Sequence, residues 1–198
     1  MTSRALQQFL SVEEYLEGEL RRPVKHEYVA GQIFAMVGVS RDHNRIALNL
    51  FKLLEAHLYG GPCQIYVAEV KVRVEKADAF YYPDIAVTCD ASDTEKYYLT
   101  HPCLIVEVLS PSTEGIDRRE KLMAYQQLES LQEYILVSQE KERVDVYRKD
   151  EEGKWWLDTY AEKEEFQLDS VGLKVTMDAI YEDVGYEDVG NDDRRKRR

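Results

Sequence analysis

The chain has 198 residues, with 38 Asp and Glu against 26 Lys and Arg and a formal net charge of −12. Its length suits one domain with a real core and is short for two, and 44% hydrophobic with 32% charged residues is an ordinary soluble, globular composition. No apolar run approaches the roughly 20 residues that span a bilayer, and so acidic a balance argues against a general nucleic-acid binder, because phosphate favours a basic surface.

The first residues hold neither a long apolar region nor a cleavage site, which predicts a cytoplasmic location. Ser11-Val12-Glu13-Glu14 is a capping box that opens a short helix to about residue 20, ended by Pro23. Residues 26–37 read as a hairpin turning at Ala30-Gly31. A second helix spans about 43–59, with Ile46, Leu50, Leu53, Leu54 and Leu58 at helical spacing, and stops at Gly60-Gly61-Pro62. From 63 to 75 the period changes to two, predicting one long strand with Glu69, Lys71 and Arg73 on its wet face. After a turn near Asp78, residues 81–88 form the next strand, and 90–101 is a polar loop. The run from Cys103 to Leu109 is a buried strand, 117–129 a helix with Leu122, Tyr125 and Leu128 inward, and 134–138 another buried strand. Val144 to Tyr147 and Trp155 to Leu157 alternate as outer strands, joined through turns at Glu140-Lys141 and Glu152-Gly153.

A last helix ends near Tyr181, and residues 1–181 are expected to make a single domain. The remainder, 182–198, reads as an acidic and then basic tail: Tyr181-Glu182-Asp183-Val184-Gly185 is repeated at 186–190, and five cations, Arg194 to Arg198, close the chain. That run is available to touch phosphate, to pair with the acidic stretch before it, or to stay solvated. Cys63, Cys89 and Cys103 are an odd count without CxxC spacing, which predicts reduced thiols in or near the core.

One carboxylate stands out. Glu107 interrupts Cys103-Leu104-Ile105-Val106-Glu107-Val108-Leu109 on the face of Ile105 and Leu109, where an unpaired charge is costly. A metal ion or a basic side chain is the simplest compensation. Asp84 follows Pro83, which cannot donate to a sheet ladder, so Asp84 is expected at a strand end or bulge. Asp117 and Lys121 are four apart and share a helix face with Tyr125. Two carboxylates on neighbouring strands with a lysine from the next helix suit Mg²⁺, which takes one or two carboxylates plus waters and phosphate oxygens.

Asp84 after Pro83 and Glu107 on the next strand resemble the PD-(D/E)XK nuclease pattern. The surrounding sequence is similar to one bacterial branch, the Uma-two family, across roughly residues 10–180: His26-Glu27-Tyr28-Val29-Ala30-Gly31-Gln32-Ile33, His43 opening a helix, Tyr82-Pro83-Asp84-Ile85-Ala86-Val87, Glu107-Val108-Leu109-Ser110-Pro111-Ser112-Thr113, then Asp117, Lys121 and Tyr125. The resemblance implies a restriction-endonuclease-like α/β fold, a mixed central sheet flanked by helices with an added antiparallel hairpin. It implies a Mg²⁺-dependent (or Mn²⁺-dependent) DNA endonuclease with Asp84 and Glu107 as metal ligands and Lys121 as the electrostatic group. The lysine expected two residues after Glu107 is Leu109 here, and in this branch its role passes to the helix, at Lys121.

Other readings stand beside these. Glu69-Val70-Lys71 also spells ExK, but ahead of Asp84; Glu69 is either an extra ligand or an exposed strand residue. Glu107 pairs with Lys121 or Arg73 without metal in a structural reading. Glu27, His43, Asp117 and Tyr125 are accessory candidates, each with an ordinary alternative as surface charge, helix-start residue, early-turn acid and core aromatic. A catalytically inactive nuclease-fold module that binds nucleic acid or a partner protein is the alternative function. Cutting two strands calls for two sites, so a two-fold homodimer acting on DNA away from membranes is expected.

Overall fold

The computed structural model describes residues 9–185. Ser11 caps α1 (Val12–Glu19) as the capping box requires, accepting from the Glu14 amide while the Glu14 carboxylate accepts from the Ser11 amide. The hairpin of β1 (His26–Val29) and β2 (Gln32–Ala35) turns through Ala30 and Gly31, with φ of 47° and 85°. Two positive φ values give the turn a twist that matches paired strands. Ser40 accepts from the His43 amide and starts α2 (Arg41–Leu58), slightly ahead of the expected start.

The remaining strands are β3 (Gln64–Val67), β4 (Lys71–Val74), β5 (Ala79–Tyr81), β6 (Ile85–Thr88), β7 (Tyr98–Leu99), β8 (Leu104–Leu109), β9 (Glu133–Ser138), β10 (Arg143–Lys149), β11 (Trp155–Ala161), β12 (Glu165–Leu168) and β13 (Leu173–Thr176). Between β8 and β9 the chain is helical as α3 (Glu114–Ile116), a π-helical segment Asp117–Lys121, and α4 (Leu122–Tyr125); α5 is Met177–Ile180.

The fold is mixed α/β with mixed sheets flanked by helices, as expected, and its strands divide into two main sheets and a separate pair. A six-stranded sheet runs β11-β10-β9-β8-β6-β3, with β8 and β9 parallel and the other pairs antiparallel. A five-stranded sheet runs β2-β1-β5-β4-β7 and contains the hairpin, and β12 and β13 form a separate pair. The cause lies in two breaks. The expected long strand 63–75 splits at Ala68, whose φ of 49° no extended residue adopts, so β3 lies in one sheet and β4 in the other. The expected strand 81–88 splits at Tyr82-Pro83-Asp84 in the same way, and the Ala68 amide donates to the Asp84 carbonyl, so both crossovers lie side by side. Asp84 therefore sits where two sheets part.

Alternation along β8 sorts the core. Leu104, Val106 and Val108 pack with Ile46, Leu50 and Leu54 of α2. Ile105 and Leu109 face the other way, against Ala124, Tyr125 and the five-stranded sheet's Val72 and Tyr81. Tyr15 of α1 covers the far side of that sheet at Tyr28 and Phe80. Each fully buried Leu, Ile or Val is worth about 1.5–3 kcal/mol, which is what offsets the cost of holding charge in the same layer.

The segment 90–101, expected as loop, supplies β7, paired in parallel with β4, and residues 165–176, for which no element is expected, form β12 and β13. The cysteine expectation is corrected: Cys63 and Cys89 are disulfide-bonded. Their separation of 26 residues hides this, but Gln64 pairs with Thr88, and the next pair outward is Cys63 and Cys89. Cys103 remains a thiol, buried, with its Sγ 3.6 Å from that of Cys89. Most of the expected tail, including Arg194 to Arg198, lies outside the described residues. Within them, Asn49 donates to the Glu182 carbonyl and Val184 packs on the core. Among the described residues no helix is long and apolar enough to cross a membrane.

Candidate active site

Ile85 pairs with Val106 across the antiparallel β6–β8 ladder, and continuing that register by one residue brings Asp84 opposite Glu107. Directly opposed residues point to the same face of a sheet. Glu107 is 4% exposed and turns toward the helical segment 114–125, which follows β8 after Ser110-Pro111-Ser112-Thr113. The short connection forces that segment back over the strand. Its π-helical portion carries Asp117 and Lys121, a geometry frequent at functional sites and invisible to a 3.6-residue period.

The Lys121 Nζ is the hub. It lies 2.9 Å from Glu27 Oε1, 3.0 Å from Glu107 Oε1 and 3.3 Å from Asp117 Oδ1, and 5.6 Å above the Tyr81 ring. The Tyr125 hydroxyl also donates to Glu107 Oε1, at 3.3 Å. Asp84 Oδ2 accepts from the Val108 amide at 2.7 Å and stands 3.2 Å from His43 Nε2. Glu27 is steadied by the Tyr82 amide, 3.3 Å from its Oε1. His43 reaches Asp84 from α2, on the opposite side of the six-stranded sheet from Lys121, because Asp84 stands at the strand's end.

Electrostatically the group is short of positive charge. Burial raises the Glu107 carboxyl well above its ordinary 4.5, and Asp117, Asp84 and Glu27 add to the rise, while Lys121 opposes it. Burial raises Asp117 as well, again against Lys121. For Lys121 burial acts to lower the value, but Glu107, Glu27 and Asp117 outweigh it and hold the ammonium well above 10.5. Burial next to Glu107 likewise keeps the Tyr125 hydroxyl protonated. Four carboxylates share one lysine and one histidine.

This donor set fits a hard divalent cation. The bonds to Asp84 go to Oδ2 and those to Glu107 go to Oε1, which leaves Asp84 Oδ1 and Glu107 Oε2 as oxygen donors on adjacent strands. Among the described residues, no group of three or more His, Cys, Asp or Glu side chains is arranged to hold a metal ion. Mg²⁺ does not need three, since it keeps several waters and takes one or two carboxylates.

Of the residues singled out from sequence, the fold brings together Asp84, Glu107, Lys121, Glu27, His43, Asp117 and Tyr125. Glu69 stands apart: its carboxylate is exposed and paired with Lys25. Lys71 of the same ExK is buried on the far face of the five-stranded sheet, 3.4 Å from the Tyr82 hydroxyl. Arg73 pairs with Asp78, not Glu107. The amides of Val108 and Tyr82 and the ring of Tyr81 had no sequence signal, since backbone donors are placed by register alone.

Residues 12–178 match the Uma2 family, whose description reads "Putative restriction endonuclease". Uncharacterized protein slr1290 of Synechocystis sp. is 41% identical over 178 residues, 89% of this chain and 94% of that protein. Uncharacterized protein sll1609 of the same organism is 33% identical over 156 residues, 77% of this chain and 88% of that protein. A crystal structure from Anabaena variabilis, described as "a putative nuclease belonging to DUF820", matches with a TM-score of 0.72 at 16% identity, over 87% of this chain and 97% of that one. At that identity the match establishes a shared fold. The family match spans both carboxylate strands and the lysine helix, and the chain belongs to the Uma2 family.

Proposed function

We propose that the chain is a metal-dependent endonuclease that hydrolyses DNA phosphodiester bonds, with Mg²⁺ or Mn²⁺ held by Asp84 and Glu107. The observation that carries this reading is the pair of carboxylates on adjacent strands, each anchored through one oxygen, with the buried Lys121 beside them. The family's description supports the reaction class. When bound, the cation polarises the scissile phosphate and lowers the pKa of a coordinated water.

The chain's own groups supply the rest. The Val108 amide and His43 fix the Asp84 carboxylate, and Lys121 and Tyr125 fix that of Glu107, so neither reorganises as charge develops. Lys121 stays an ammonium among three carboxylates, so its role is to offset negative charge on the phosphoryl oxygens and not to remove a proton. The chain acts as a two-fold homodimer in this reading, because a double-strand cut needs two sites.

A second reading has one observation in its favour. Lys121 already neutralises Glu107, as a structural ion pair would, in a module that binds without cutting. Incubation of supercoiled plasmid with the purified chain separates the two. The nuclease nicks or linearises it in Mg²⁺ or Mn²⁺, and Asp84→Asn does not. An inert parent in both metals leaves the binding module.

A further inference from the structure

The chain's acidity poses a problem for any phosphate-bearing substrate, which exposed cations without a carboxylate partner would offset. Arg22, Lys25, Lys52, Arg73, Arg118 and Arg148 each have a carboxylate partner. Arg41 and Arg45, in the first two turns of α2, are exposed and have no ion pair or hydrogen bond from their guanidinium groups to any described residue. With Val39, Ser40 and Asn44 they line a shallow hollow.

Their placement on the helix is specific. At about 100° per residue, Arg41, Asn44 and Arg45 share one stripe, while His43, Ile46 and Ala47 form the buried face. Asp42, the acid of that first turn, lies about 100° around from Arg41 and outside the stripe. The turn that presents Arg41 to solvent thus also presents His43 to Asp84, 3.2 Å away. The arginines stand on the side of α2 turned away from His43, and a helix with side chains is about 10–12 Å across, so a strand at Asp84 reaches them by passing over the first turn of α2. Side chains four apart on a helix have Cβ atoms about 5–6 Å apart, and a guanidinium fork binds phosphate oxygens in a bidentate manner. Val37 and Val39, 70% and 56% exposed, lie just before them and offer apolar contact beside the cations.

Resting on the nuclease reading above, we infer that Arg41, Asn44 and Arg45 form a phosphate-backbone subsite that holds the DNA strand beside the scissile bond. It contributes binding and register without sequence preference, since phosphates carry none. It also supplies positive charge where the acidic centre itself repels the substrate.

The test is binding of a fluorescein-labelled DNA duplex to the full chain, followed by anisotropy across a salt series with Ca²⁺ in the buffer. Arg41→Ala/Arg45→Ala is compared with the parent, which carries the same terminal arginines. Each phosphate contact contributes about 0.9 to the slope of log K against log salt, so the double variant's slope is expected to be shallower by about 1.8, with weaker binding at every low salt. Arg41→Lys/Arg45→Lys retains most of that slope, and Lys154→Ala, at the exposed β10–β11 turn, leaves it unchanged. An unaltered slope in the double alanine variant overturns the subsite and leaves the nuclease reading intact. A parent that binds no duplex also overturns it. A parent that binds through these arginines yet never cuts keeps the subsite and removes the nuclease.

Discussion

Replacing Lys121 by Met removes one charge and keeps most of the side chain's length. The ammonium it deletes is 5% exposed and lies within 3.3 Å of Glu27, Glu107 and Asp117. Breaking a buried ion pair by removing one partner costs about 3–5 kcal/mol. For a chain of this size each kcal/mol moves Tm by about 2–4 °C, so the variant should melt about 6–20 °C below the parent at pH 8 without metal. Two things should relieve the loss. Glu107 already has a raised pKa, and without Lys121 its folded form holds the proton still more tightly. Variant and parent both keep that proton until pH passes the parent's own raised Glu107 value, so the deficit between them grows as pH rises above that value and is smallest below it. A divalent cation taking over from the ammonium should recover part of it at high pH. In the plasmid assay, Lys121→Met should bind metal and lose turnover more than substrate affinity, because the charge it offsets grows in the transition state. A variant as stable as the parent would refute the electrostatic account. A large loss that metal does not relieve, together with an inert parent, would remove the nuclease reading and keep the ion pair.

Mg²⁺ at about ten times its Kd should stabilise the parent by about 1.4 kcal/mol, read as a rise in Tm, and Asp84→Ala should abolish the rise; an unchanged rise would put the ion elsewhere. Tyr125→Phe removes a hydrogen bond to Glu107 and should cost about 1.5–3 kcal/mol in a urea melt, and no loss would mean the bond is not made. The intact mass should be two hydrogens short of the fully reduced chain, and reduction of Cys63–Cys89, which closes 26 residues, should cost about 3.5 kcal/mol; a chain with three reactive thiols under native conditions would refute the pairing. Cys103, whose burial pushes its thiol up to about 11, should resist iodoacetamide at pH 8 and react as pH approaches 11. A strictly monomeric mass by light scattering at micromolar concentration would count against the proposed homodimer.

Sequence by itself determined the elements whose signals are local. The capping box at Ser11, the turn at Ala30-Gly31, the apolar face of α2 and the strand of Glu107 all follow from contacts within a few residues, and each formed as read. The Asp84, Glu107 and Lys121 constellation was legible because a carboxylate in an apolar strand demands a cation, and the next helix held one. Tertiary structure decided what depends on pairing between distant segments. The breaks at Ala68 and Pro83 become a passage between two sheets only because Ala68 donates to Asp84 across the gap, and alternation alone reads straight through them. Register set Cys63 against Cys89, which spacing could not reveal. It also decided which carboxylates reach Lys121. Glu27 arrives from the hairpin near the start of the chain, because β1 pairs with β5 and so lies over the site, whereas Glu69, much nearer to Lys121 in sequence, stays with Lys25 at the surface.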